Sequence, residues 1–222
     1  MNSENITSQS KIRRQPILAS PSIDENELAL SIILKGKPTQ ELLDSTKKKL
    51  IENNHFKSLK IHCSDYSFTF FSTLLEIAFN KKSLTTLDLS SNQLNSDRLM
   101  RLVKYFEKKQ FDQITEINLD SNDLGEDHLL AVTYFLKRFP KLKTVILTKN
   151  NIEKLEGLFL NHLKTSEITE VICLHGNKES IFKEITGTLN EKRTKSTRKE
   201  IQSKKIIFRR VFTLNESSSD SE

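Results

Sequence analysis

Apolar residues in the stretch Leu84–Leu94, LTTLDLSSNQL, fall at its first, fourth, sixth and eleventh positions, with an asparagine at the ninth. Neither the 3.6-residue period of a helix nor the two-residue alternation of a strand gives that spacing. The same arrangement returns as Ile114–Leu124 (ITEINLDSNDL) and Leu142–Ile152 (LKTVILTKNNI), after 30 and then 28 residues. A degraded copy lies 28 residues upstream of the first, with Phe56, Leu59 and Ile61 in place and Ser64 where the asparagine is expected. A later copy sets Ile172, Leu174 and Asn177 in the pattern, with Thr169 at its first apolar position. Such self-similarity marks a chain built of stacked coils.

The spacing has a physical reading. The fourth and sixth positions are two apart, so they share one face of a short strand and point inward. Asparagine at the ninth sits in the turn leaving the strand. Its amide both donates and accepts, so a stack of asparagines satisfies backbone groups that burial would otherwise orphan. The first and eleventh positions close the core above and below. Between copies the period changes to helical: Leu99, Leu102, Val103 and Phe106 share one face, as do Leu129, Val132 and Leu136, and Phe71, Leu74, Leu75 and Phe79. Asn95 or Ser96 is a suitable N-cap.

The pattern L-x-x-L-x-L-x-x-N-x-L resembles the leucine-rich repeat family, and repeats of 28–30 residues with a helical return resemble its ribonuclease-inhibitor-like subtype. The likeness spans about Leu28 to Asn177. It implies an α/β solenoid, a short horseshoe with a parallel sheet on the concave face and helices on the convex face. It also implies a scaffold that binds other proteins. Such a stack needs closed ends. Glu27–Leu34 reads as a strand with Leu30 and Ile32 inward, and Pro38–Asn53 as its helix, with Leu42, Leu43, Leu50 and Ile51 apolar. Lys178–Leu189 reads as a capping helix through Ile181, Phe182, Ile185 and Leu189. About six strands and six or seven helices are expected. The resulting division is a polar arm over 1–22, the repeat domain with its caps over 23–190, a basic amphipathic segment over 191–214 and an acidic, serine-rich tail over 215–222, with both ends expected to be disordered.

Composition narrows the class. Of 222 residues, 36% are apolar and 29% charged, an ordinary globular mixture. The most apolar stretch, Leu28–Leu34, is 7 residues long, against about 20 for a spanning helix. No signal-peptide core is evident, and the sequons at Asn5 and Asn215 lie in the tails. Cys63 and Cys173 are distant and unpaired in pattern, which suits a reducing intracellular compartment. The formal charge of +6 is uneven: Lys178–Arg210 carries 11 Lys/Arg and 4 Asp/Glu, so the remainder is slightly acidic.

No catalytic constellation emerges. The five histidines, His55, His62, His128, His162 and His175, form no metal-binding motif. The nearest pairs, His62 with Cys63 and Cys173 with His175, read as surface histidines beside small core or turn cysteines. With 5 glycines there is no phosphate-cradling loop. The chain is therefore expected to be non-enzymatic, with no metal and no cofactor.

What remains is surface. Strand positions flanking the inward pair face the concave side. They read Lys60, Asp88, Asn118, Ile146 and Cys173 in the middle column, Ser58, Thr86, Glu116, Thr144 and Val171 before it, and His62, Ser90, Asp120, Thr148 and His175 after it. Asp88, Glu116 and Asp120 make an acidic centre. Lys60, Thr86, Asp88, Glu116, Asn118, Asp120, Ile146 and Thr148 are the candidate contacts for a protein partner with a basic or mixed segment, recognised by a monomer. The competing reading is that they are solvated strand residues.

The segment Lys192–Leu214 interleaves Lys204, Lys205, Arg209 and Arg210 with Ile206, Ile207, Phe208, Val211 and Phe212. It suits an anionic membrane surface, a protein groove, or an extension of the capping helix. Nucleic acid is least favoured, because no sequence-reading motif accompanies the charge. Lysine outnumbers arginine 26 to 9, a bias of AT-rich genomes. With the serine-rich end, the chain resembles translocated effectors of intracellular bacteria. That resemblance implies export into host cytoplasm, with Ser217 and Ser219 as host-kinase substrates. A third reading, a GTPase regulator of the leucine-rich-repeat type, would need an arginine projecting from a repeat loop; Arg98 and Arg101 read as helical, which disfavours it.

Overall fold

The computed structural model describes residues 22–24, 29–34, 39–63, 67–173 and 176–195. The arm over 1–21, the segment over 196–214 and the tail over 215–222 lie outside the described residues, as do Ser64, Leu174 and His175.

The chain is an α/β protein in which strand and helix alternate. The strands are β1 (Ser22–Asp24), β2 (Ala29–Ile33), β3 (Ser58–His62), β4 (Thr86–Asp88), β5 (Glu116–Asn118), β6 (Thr144–Ile146) and β7 (Glu170–Ile172). The helices are α1 (Gln40–Glu52), α2 (Phe68–Phe79), α3 (Ser96–Tyr105), α4 (Leu129–Leu136), α5 (Gly157–Thr165) and α6 (Glu179–Lys195). A 3₁₀ turn, Glu126–His128, leads into α4. All seven strands form one sheet in chain order, and β2 to β7 run parallel. Each strand pairs with its successor, an arrangement compatible with a solenoid-like α/β fold. Strand β1 was not expected. It pairs antiparallel with β2, Ile23 opposite Leu30, and covers the edge that β2 would otherwise leave open.

Local signals account for the helix starts. Thr39, Ser67 and Asn95 precede α1, α2 and α3, and their side chains accept from Leu42 N (3.3 Å), Phe70 N (3.3 Å) and Arg98 N (3.0 Å). The core lies between sheet and helices. Leu59 and Ile61, Leu87 and Leu89, Ile117 and Leu119, and Val145 and Leu147 are fully buried. So are the first and eleventh positions of the three full repeats, from Leu84 to Ile152. Phenylalanines close one end of this core, where Phe79 stacks on Phe111 with centroids 3.9 Å apart and Phe106 meets Phe79 at 5.3 Å.

The asparagine positions are joined into a ladder. Asn92 Oδ1 accepts from Cys63 N (2.8 Å), and its amide nitrogen donates to Ile61 O (2.6 Å) and Ser90 O (3.1 Å). Asn122 Oδ1 accepts from Asn92 N (2.8 Å) and Leu94 N (3.2 Å), and Asn150 Oδ1 from Asn122 N and Leu124 N (3.0 Å each). Asn177 Oδ1 accepts from Ile152 N (2.9 Å). The turn is tight: Ser91, Gln93, Ser121, Asp123 and Lys149 all have positive φ, between 49° and 58°.

Three expectations need correction. The last repeat is set one residue earlier than its pattern suggests. Register pairs Val145 with Val171 and Ile146 with Ile172, so Ile168, Val171 and Cys173 are the buried residues, and Val171 and Cys173 leave the outward columns. The asparagine is still in reach because one residue is inserted before it. Gly176 (φ 73°) takes that place, where a Cβ would lie 2.6 Å from Lys149 Cα. Second, Ile51 is 56% exposed, whereas Leu50 carries the packing of α1. Third, the capping helix does not end at Leu189: α6 continues to Lys195, so the start of the basic segment extends that helix, one of the readings its sequence allowed.

Candidate functional site

The helices pack against the buried side of the sheet and, among the described residues, nothing covers the other side. The outward middle column is Ser31, Lys60, Asp88, Asn118, Ile146 and Ile172, and the column before it is Ala29, Ser58, Thr86, Glu116, Thr144 and Glu170. Their side chains are half-buried, a consequence of close lateral spacing in a parallel sheet. Thus Lys60, Thr86, Asp88, Glu116, Asn118 and Ile146 come together on one face, with Asp120 and Thr148 at the strand exits. Glu170 and Ile172 join them. The correct strand register, marked by buried Ile168, would have revealed both.

Bonds within the face alter its electrostatics. Lys60 Nζ lies 3.4 Å from Asp88 Oδ2, while Asp88 Oδ1 accepts from Ser90 N at 2.8 Å. Asn118 repeats the second bond, its Oδ1 accepting from Asp120 N at 2.9 Å. Asp120 in turn accepts from Thr148 Oγ1 and, at 2.7 Å, from Ser121 Oγ. Asp88 and Asn118 therefore fix the turn after their strands, and Asp88 and Asp120 both bond within the face. Ser90 is buried and presents nothing outward. Thr144 Oγ1 donates to Glu170 Oε2 at 3.2 Å. Beyond this pair, Ile146 beside Ile172 gives the face an apolar end.

Reactive groups elsewhere are held quiet. Burial, only partly offset by the nearby Arg98 charge, pushes the Cys63 thiol up to about 12, and burial alone pushes Cys173 to about 11. Both thiols stay protonated at neutral pH and are poor nucleophiles. Burial, reinforced by Lys137 and Lys192, pushes the His162 imidazole down to about 4. His128 Nδ1 accepts from Gly125 N at 2.9 Å and so shapes a turn. Arg98 Nη1 donates to Asn92 O at 2.9 Å, and the Arg101 guanidinium lies 4.2 Å from the centre of the Phe68 ring. Both arginines sit on α3 and bind within the fold. Among the described residues, no three His, Cys, Asp or Glu side chains converge as a metal site. An open groove of about 480 Å³ runs past Glu126, Asp127, Lys154 and Glu156. No described helix is long and apolar enough to cross a membrane. Lys204, Lys205, Arg209 and Arg210 lie outside the described residues.

No protein-family model matches the chain, and no curated protein matches it.

Proposed function

We propose that the chain is a leucine-rich repeat protein of the ribonuclease-inhibitor-like type, a short horseshoe that binds a protein partner through its open sheet face without catalysing a reaction. One observation carries this reading. Parallel sheets are normally covered on both faces, yet the described helices cover only one face of β2 to β7, and the other presents side chains in continuous columns. The bonds within that face shift its centre of recognition. We assign direct contact to the apolar end, Ile146 and Ile172, with Thr86, Glu116 and Glu170 in the neighbouring column, and Lys60, Asp88, Asn118, Asp120 and Thr148 shaping the surface around them.

The test is affinity capture with quantitative mass spectrometry, comparing the full chain with an Ile146→Arg/Ile172→Arg variant whose thermal unfolding matches the parent. Loss of a partner's capture by at least about tenfold is expected, since central apolar contacts dominate interfaces. Undiminished capture of every partner overturns the proposal.

A further inference from the structure

The outer faces of the helices are largely polar, with one departure. Among the described residues, the large apolar side chains left exposed are Ile51, Met100, Tyr105, Leu130 and Tyr134. Four of these five lie on α3 and α4, which pack side by side. Tyr105 is used within the fold: its hydroxyl donates to Glu76 Oε2 at 2.8 Å, and its ring meets Phe68 edge-on. Met100 (42% exposed) and Leu130 (44%) are 30 residues apart, one repeat, so they stand at the same height on adjacent helices. Tyr134 (39%) follows Leu130 by one turn on the same face. The apolar patch stops at the flanking helices, whose exposed residues are Thr69 on α2 and Gly157, Asn161, Lys164 and Thr165 on α5.

Charge is graded along this pair of helices. At their starts Asp97, Glu126 and Asp127 are exposed, and the open groove past Glu126, Asp127 and Glu156 begins beside them. Arg101 lies 3.9 Å from Asp97, but among the described residues no cation lies within ion-pair distance of Glu126 or Asp127. At the other end Lys104 and Lys137 are exposed, and no described carboxylate pairs with either. Lys137 Nζ instead lies 5.2 Å from the centre of the Tyr134 ring. The surface thus reads acidic, apolar, basic over about 15 Å of helix.

We propose that a second copy of the chain covers this patch, related by a two-fold axis through the apolar residues that sets the helices of the two copies antiparallel. That operation brings Met100, Leu130 and Tyr134 of both copies together. It places Glu126 and Asp127 of each copy against Lys104 and Lys137 of the other. A uniformly anionic surface, lipid or nucleic acid, would be attracted at one end of the patch and repelled at the other. The complement of an acidic, apolar, basic order is the same order reversed, which the chain itself carries. The patch is small beside a standard interface of about 800 Å² per partner, so association in the micromolar range is expected. The contact uses outer helices alone, so the open sheet face of each copy stays free.

The experiment is sedimentation equilibrium of the full chain over about 1–300 µM, with circular dichroism showing that each variant keeps the parent's fold. A monomer–dimer equilibrium is expected. Leu130→Asp/Tyr134→Asp should weaken it at least about tenfold. Lys104→Glu/Lys137→Glu and Glu126→Lys/Asp127→Lys should each weaken it comparably. A one-to-one mixture of these two charge variants should recover the dimer, because each then meets its opposite charge at both ends. Ile146→Arg/Ile172→Arg, on the sheet face, should leave the dimer unchanged, so this proposal and the proposed function fail separately. A parent that stays monomeric throughout overturns the proposal, even if it captures a different protein through Leu130. So does a dimer that the Leu130/Tyr134 and charge variants leave intact, or a mixture of charge variants that stays monomeric.

Discussion

At the scale of single residues, the asparagine ladder concentrates the most stabilisation in the fewest atoms. Asn122 is 2% exposed, accepts from two backbone N–H groups and donates to Leu89 O and Leu119 O at 3.0 Å each. Asn122→Ala leaves these groups buried and unpaired, and should cost about 3 kcal/mol or more in denaturant unfolding. Asn177→Ala should cost less, because that side chain is only partly buried and its Oδ1 accepts from a single residue, Ile152. Gln93 occupies the left-handed region at φ 53°, so Gln93→Gly should raise stability by about 0.5–1 kcal/mol in the same assay. His162 supplies a pH signature. Its folded value, about 4, lies below the ordinary 6.5, so the unfolded chain binds the extra proton between those values. Stability should therefore fall as pH drops from 6.5 towards 4. His162→Leu should flatten that slope in pH-dependent melting curves. The ladder itself was legible in sequence because it repeats. The second duty of Asp88 and Asn118 was not, since a polar strand residue looks alike whether it bonds its own turn or a partner.

At the scale of elements, sequence identified the coils where three matched one another and faltered at the ends of the stack. The last coil contains one residue more between Cys173 and the asparagine than its predecessors have at the same place. Aligning it backwards from Asn177 therefore misplaces the strand by one and turns every side chain over. The deciding residue was Gly176, whose role depends on how close Lys149 approaches, a contact that no pattern reveals. Gly176→Ala should destabilise the chain by about 1–3 kcal/mol, measurable as a lower melting temperature. Strand β1 was missed for a related reason. Three residues, SID, carry too little periodicity, and only the open edge of β2 gives them a place. The end of α6 was not fixed by pattern, because its last turns are charged rather than amphipathic. Lys192 holds them by reaching carbonyls of Leu163 in α5 and of Ser166 and Ile168 in the loop after it. Lys192→Met should quicken amide exchange in the last turn of α6 while leaving α2 and α3 unchanged.

For the whole molecule, strands that each pair only with their neighbours in sequence make stability largely a local property. Amide exchange should therefore be slowest in β4 and β5, which have coils on both sides, and faster towards β2 and β7. The ladder also has a direction. Asn92 completes the turn at Cys63, Asn122 the turn at Asn92, Asn150 the turn at Asn122, and Asn177 the backbone of Ile152. Each of these turns thus takes its missing acceptor from the coil made after it. On a ribosome, a growing chain would carry one unfinished turn at its leading end at every length. That debt passes forward coil by coil until Asn177 and α6 have emerged.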